Sequence, residues 1–289
     1  MHLIMLLTAL VLAWCLRSTD SETTGCWRER WQRTLKQFLL PPLLLLTTAI
    51  AIIWMGPHGQ MVWLWEGWFS YGLALGFWVW TIVIGLKLAW ESWCLYQWVR
   101  GQPTTVLNGL TARLLDLPTL DIAQIGFWQP ELVISRPLLT VLDEPHLEAV
   151  LLHEQAHHYY RDTFWFFWLG WLRRLASGLP QTGRLWQELL ILREIRADRW
   201  AAQRTDNLLL AEALLVVVSH PSALTEDYCA AFSRVVPPLT GAAPRKDRLN
   251  QRIEALLTEP ELSSDVGCWS WIWLGLPLLP LLAIPFHQG

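Results

Sequence analysis

The sequence is short of charge. Asp, Glu, Lys and Arg together make up 16% of 289 residues, against roughly 25% in a typical soluble domain. That shortage argues against a water-facing surface around the whole chain. Lysines and arginines nowhere run together with interleaved aromatics, and the formal net charge is −3. No basic face therefore invites direct contact with nucleic acid. Cysteine is sparse as well: Cys15, Cys26, Cys94, Cys229 and Cys268 lie far apart, which excludes a zinc ribbon and a disulfide-stapled scaffold. Internal repeats and low-complexity tracts are missing. What is abundant is apolar: 53% of the residues are hydrophobic and 21 are tryptophan, a residue at home at the lipid–water interface.

Four apolar stretches stand out: Met1–Leu16, Phe38–Met55, Gly67–Leu86 and Val266–Phe286. A helix rising 1.5 Å per residue needs about 20 residues to cross roughly 30 Å of hydrocarbon, and the last three qualify by length. Met1–Leu16 is shorter and is read as a retained helix; it lacks the basic start and small-residue cleavage site of a signal peptide, which is the alternative. Arg17, Arg28, Arg30, Arg33 and Lys36 follow it, whereas Gly56–Glu66 has no Lys or Arg. By the positive-inside rule the first of these connections is cytoplasmic and the second is external. Alternate threading then puts both termini outside and Lys87–Asp265 in the cytoplasm. The expected division is a membrane region over residues 1–100, a cytoplasmic domain over 101–260, and a fourth span over 266–286.

Within the cytoplasmic part, Glu131, Leu132, Val133, Ile134 and Ser135 form a β-prone run between Pro130 and Pro137, which predicts an edge strand. Asp143, Glu144 and Pro145 mark a helix start. That helix leads directly into His153-Glu154-Gln155-Ala156-His157. Residues four apart share a helix face, so His153 and His157 can direct two imidazole nitrogens at one zinc ion, with Glu154 placed as general base toward an attacking water. A chance occurrence in a structural helix is the plainer reading, weakened by the rarity of this spacing among eight histidines. A catalytic zinc needs a third protein ligand. Glu194 and Asp198 lie one turn apart on the helical stretch Arg184–Arg204, offering that ligand and a carboxylate behind a ligand imidazole. Alternatively, Arg193, Arg196 and Arg199 merely pair with these acids on a solvated face; Glu188 is the reserve ligand. His158 points about 100° away on the helix, and His2, His58, His146, His220 and His287 earn no role from spacing. Thr163–Leu172 is too short to span and either dips into the interface or packs in the core. Val236–Ala243 reads as a loop before a basic helix at Pro244–Leu257.

The run Leu147–Asp162, the strand region Gly126–Leu139, and Glu194-Ile195-Arg196-Ala197-Asp198 resemble the M56 family of membrane metallopeptidases, which includes the β-lactam sensor-transducers. The M48 family shares the histidine motif and the Glu-x-x-x-Asp element and is the runner-up; Arg161-Asp162 favours M56, although Tyr160 stands where that family usually has a basic residue. The resemblance covers roughly residues 105–257. It implies a mainly α-helical integral membrane protein of about four transmembrane helices, in a prokaryotic plasma membrane, with a cytoplasmic zincin-like (α+β, gluzincin) domain. His153, His157 and Glu194 become the Zn2+ ligands, Glu154 the catalytic base, and Asp198 a support behind the ligands. It also implies that the strand Glu131–Ser135 aligns an extended peptide by β-augmentation, and that the helix carrying Arg245, Arg248 and Arg252 is a shared region, or else only a basic membrane-facing surface. The sequence shows no penicillin-binding segment after the fourth span, so regulation through the outer loop, the spans or another protein is expected. The leading expectation is a zinc endopeptidase acting on a cytoplasmic or membrane-proximal protein, with a DNA-binding repressor as one substrate class and the lipid bilayer and a second copy of the chain as further partners. M48-like quality control of membrane proteins and a non-catalytic metal-stabilised scaffold are the competing readings.

Overall fold

Asn108 and Gly109 have φ of 47° and 80°, the pair of left-handed residues that a two-residue hairpin turn requires. They join β1 (Thr104–Leu107) to antiparallel β2 (Leu110–Leu115), with Leu107 opposite Leu110 and Thr104 opposite Arg113. β3 (Ile122–Ile125) turns into β4 (Glu131–Ser135) through Gly126, whose φ is 142°. A Cβ at Gly126 would meet Gln129 O and Pro130 Cα at 2.9 Å, so the turn needs glycine for both conformation and space. β4 pairs parallel with β2 and antiparallel with β3, giving the order β1-β2-β4-β3.

This order corrects the expectation of an edge strand at Glu131–Ser135. β4 is an inner strand: Leu132, Val133, Ile134 and Ser135 are buried, and both its ladders are filled. Glu131 is engaged by Arg113 and by Arg100. Pro130 and Pro137 mark where the strand ends, and the unbroken apolar run Leu132–Ile134 is the signature of a strand covered on both faces. Among the described residues the open edges belong to β1 and β3.

The computed structural model describes residues 2–18, 26–57, 64–219, 245–258 and 268–286. The expected loop Val236–Ala243, with Pro244, His58, His220 and His287, lies outside them. The chain divides into two compact units: Met1–Leu86 with Leu172–Trp186 and Glu261–Gly289, and Lys87–Trp171 with Gln187–Pro260.

In the first unit, α1 (His2–Ser18) and a 3-10 helix (Cys268–Phe286) pack on α2 (Trp27–Met55). α2 contains Pro41 and Pro42. Pro42 has no N–H to offer the carbonyl of Phe38 one turn earlier. Arg17, buried near the end of α1, fills that gap: it donates to Phe38 O at 3.0 Å and to Thr182 Oγ1 at 3.2 Å, with its guanidinium over the Phe38 ring. A buried carbonyl left without a donor would cost about 1–3 kcal/mol.

Among the described residues two helices are long and apolar enough to cross a membrane, α2 and α3 (Leu64–Arg100). Both are longer than the apolar stretches that flagged them, because the flanking residues, such as Arg28–Gln37 and Lys87–Arg100, include many good helix formers. α1 has 17 residues, about 25 Å of helix, short of a full crossing. The last apolar stretch is a 3-10 helix carrying Pro277, Pro280 and Pro285, not the α-helical span expected of it; each proline removes a backbone donor that an α-helix would use.

The second unit stacks helices on the sheet. α4 (Arg136–Val141) leads to α5 (Glu144–Tyr159), α6 (Asp162–Leu175), α7 (Thr182–Ala202), α8 (Asn207–Ser219) and α9 (Arg245–Leu257), with the end of α6 and the start of α7, Leu172–Trp186, belonging to the first unit. Ala149, Val150 and Leu151 of α5 share one core with Leu132 and Ile134 of β4, Leu210 and Leu214 of α8, and Leu249 and Leu256 of α9. Each large apolar side chain buried there contributes about 1.5–3 kcal/mol, which fixes α5 against the sheet. α6 is two-faced: Phe166 and Phe167 are buried, whereas Trp165 and Trp168 are exposed.

Candidate metal centre

α5 begins where the sequence predicts. Asp143 caps it by accepting the backbone N–H of His146, and proline occupies its first turn. Two turns further on, His153 and His157 point the same way, their Nε2 atoms 3.1 Å apart. α7 brings Glu194 to meet them: Oε2 is 3.3 Å from His153 Nε2, and Oε1 is 3.6 Å from His157 Nε2. All three residues are buried, with ligating atoms within 4.8 Å of one another. Ligands held about 2.0–2.1 Å from a tetrahedral ion are separated from each other by about 3.3 Å. The three donors therefore fit one small cation, with neutral imidazole and carboxylate chemistry suited to zinc.

Behind each imidazole stands a carboxylate. Asp198 Oδ1 lies 2.8 Å from His153 Nδ1, and Asp162 Oδ2 lies 2.8 Å from His157 Nδ1. Each contact favours the tautomer that leaves Nε2 free to bind a metal. The carboxylates are held in turn. Arg252 of α9 donates from Nε and Nη2 to the two oxygens of Asp198, each at 2.8 Å, and places Nη1 3.5 Å from Glu194 Oε2. Arg196 donates to Asp162, and Arg193 donates to Glu194 Oε1 at 2.9 and 2.6 Å.

Burial and charge act in opposite directions on the ionisable groups of this site. Burial pushes the His153 and His157 imidazolium forms down, but Asp198 and Glu194 respectively outweigh it, so both titrate above the ordinary range, His157 at about 10. Burial opposes the charge on Glu194 and Asp198 too; Arg193 and His157 for the first, and Arg252 and His153 for the second, still hold them below the usual carboxylate range. Asp162 is likewise lowered, against burial, by His157 and Arg196. Three guanidiniums thus neutralise three carboxylates, and the imidazoles are left to share protons or a metal.

Of the residues singled out in the sequence, His153, His157 and Glu194 converge, and Asp198 stands behind His153. Glu154 is buried on α5 beside them and outside the three-ligand group; its backbone carbonyl accepts from Gln124 Nε2 of β3 at 3.4 Å. Glu131–Ser135 takes no part in the cluster. His158 faces a separate cavity of about 420 Å³ with Leu151 and Gln155, and His146 pairs with Asp143 and Glu212. Asp162 and Arg252 are the neighbours whose contacts with the cluster sequence reasoning did not place. Of the arginine pairings weighed as an alternative, Arg193 with Glu194 is present, but on a buried face, while Arg196 turns to Asp162 and Asp198 is held by Arg252; the pairing coexists with the ligand cluster instead of replacing it. No family model matches the chain, and no curated protein matches it.

Proposed function

We propose that the chain is a membrane-embedded zinc-dependent endopeptidase. The observation that carries this reading is the convergence of His153, His157 and Glu194 at the spacing of one tetrahedral ion, with Glu154 next to it on the same helix. Bound zinc would supply Lewis acidity, lowering the pKa of water to about 7 and polarising a peptide carbonyl. Glu154 takes the proton from the attacking water and passes it to the leaving amine. Asp198 and Asp162 keep the imidazoles oriented, and Arg252 and Arg196 keep those carboxylates in place. Peptide alignment falls to β3 instead of β4. Asp121 O accepts Ser135 N at 2.9 Å, so along antiparallel β3 the alternate residues Ile122 and Gln124 turn their backbone groups to the open edge. An extended substrate adds there, beside the helix that Gln124 ties to the strand.

α2 and α3 anchor the enzyme, and the positive-inside bias of the basic residues that follow α1 supports an active site on the cytoplasmic side. A cytoplasmic or membrane-proximal protein is then the substrate, with a DNA-binding repressor as the class that the M56 resemblance implies. The test is purified protein with Glu154→Gln: zinc content stays at one per chain as in wild type while cleavage of a quenched peptide library is lost. Equal cleavage by wild type and variant refutes the enzyme. A second reading has its own observation: both Glu194 oxygens already face guanidinium groups, as in a metal-free ion-pair core. Absence of stoichiometric zinc in protein purified without chelator would favour it.

A further inference from the structure

The second unit contains a cavity of about 710 Å³ that the metal centre does not use. Its walls are the last turns of α3, with Ala89, Trp93 and Tyr96, the β3–β4 turn, with Phe127 and Trp128, and Trp168 of α6. Its aromatic floor is fixed: Phe127 packs edge-on against Phe167 at 4.8 Å between centroids and lies 5.0 Å from Phe164. The rim is open, with Trp93, Trp128 and Trp168 at 57%, 68% and 42% exposure. Apolar surface of this kind, left uncovered, marks a binding site.

A cation flanks the rim at Trp128. Arg161 is exposed, holds its guanidinium 5.9 Å from the centre of the Trp128 ring, and has a left-handed backbone, φ 53°. Arg100, by contrast, is committed to Glu131 at 3.3 Å while lying over Tyr96. No carboxylate pairs with Arg161 among the described residues. The α3 and α6 walls are helical, with their backbone donors used internally, so they give an extended peptide little to pair with. The α3 wall belongs to a helix that passes the length and hydropathy test for a span. At 1.5 Å per residue α3 is about 55 Å long, against about 30 Å of hydrocarbon, and its excess turns carry the tryptophans and tyrosine typical of an interfacial belt.

From these features we infer that the cavity holds an acyl chain of an anionic bilayer phospholipid, with the lipid phosphate at Arg161. A volume of this size falls in the range of small-molecule sites and exceeds what one amino-acid side chain fills. This inference rests on the membrane reading of α3 and not on the metal chemistry.

The test is the full chain reconstituted in vesicles of phosphatidylcholine with 20% phosphatidylglycerol, a trace of the latter carrying a photoreactive diazirine on its acyl chain. Cross-links are expected to concentrate on peptides containing Trp93, Phe127–Trp128 and Trp168. Ala89→Trp, at an exposed helix position, fills the cavity and lowers labelling there at least tenfold, with an unchanged thermal unfolding midpoint as the check on folding. Arg161→Asn keeps a residue that tolerates the left-handed backbone, and abolishes the preference for the anionic probe over a phosphatidylcholine probe. Labelling spread evenly along the outer face of α3, or unchanged in Ala89→Trp, overturns the proposal, as does displacement of the probe by an apolar peptide but not by excess lipid. Failure of the chain to associate with vesicles at all overturns the membrane reading with it, whereas loss of cleavage in Glu154→Gln is independent of every one of these results.

Discussion

Replacing Asp162 separates the metal site from the ion pairs around it. One oxygen of this buried carboxylate lies 2.8 Å from His157 Nδ1 and the other accepts from Arg196. Asp162→Asn keeps an acceptor for the Nδ1 proton and removes only the charge; Asp162→Ala removes both. Changes behind a metal-binding histidine weaken affinity by roughly 10- to 100-fold, about 1.4–2.7 kcal/mol. The asparagine variant belongs near the lower figure because the tautomer is preserved, and the alanine variant near the upper one because His157 becomes free to turn. Arg196 moderates the second loss: it is partly exposed and also stacks on Tyr160 at 4.2 Å, so its charge is not stranded. Competition with a chromogenic chelator at fixed pH measures both affinities. Variants that bind zinc within a factor of two of wild type would refute the role given to Asp162, and a larger loss for asparagine than for alanine would refute the reasoning about the tautomer.

Metal uptake releases protons. His157 titrates at about 10 in the metal-free site, above its ordinary 6.5, and zinc takes only neutral imidazole, so apparent affinity climbs with pH through that window; titration calorimetry in two buffers of different ionisation enthalpy reads the protons released, and identical heats contradict the assignment. The same shift has a sign for folding: with the folded value raised, the stabilisation is full below about 6.5 and is lost as pH rises toward about 10, so the metal-free protein melts at lower temperature on the alkaline side while the zinc-loaded protein changes less. Gly126→Ala forces a side chain into a φ of 142° and against backbone at 2.9 Å, and a loss of about 1–3 kcal/mol in denaturant titration is expected. Arg17→Met costs more in wild type than beside Pro42→Ala, where an N–H is returned to the Phe38 carbonyl; a double-mutant cycle reads a coupling of about 1 kcal/mol, and strict additivity would show that Arg17 serves another purpose.

The ligand set was legible because helical spacing is local: His153 and His157 are one turn apart, and Glu194 with Asp198 repeat that interval. Asp162 entered the sequence reading only through the Arg161-Asp162 pair; its contact with His157 was harder to see, since it reaches across the break at Arg161, where a left-handed residue swings the chain from α5 into α6. Arg252 was visible as part of a basic helix, but its partner lies on α7, and pairing across distant sequence leaves no periodic trace. Asn108-Gly109 is a two-residue hairpin signal, and it marks the β1–β2 turn. Mistaking β4 for an edge came from reading its flanking prolines as signs of an unpaired strand, although position in a sheet depends on which other strands arrive. The last apolar stretch was judged by length and hydropathy, which are blind to the donors its prolines remove.

Arg252 binds the carboxylate behind one ligand and also approaches the ligand Glu194 itself. The metal centre is therefore a knot drawn through three strings, α5, α7 and α9, and tension applied to any one of them is felt by the others. An ion bound by His153, His157 and Glu194 would tie two of the strings together, and its removal by a chelator is expected to loosen them; hydrogen exchange along α9, the latest of the three in the chain, would then gauge whether the first is loaded.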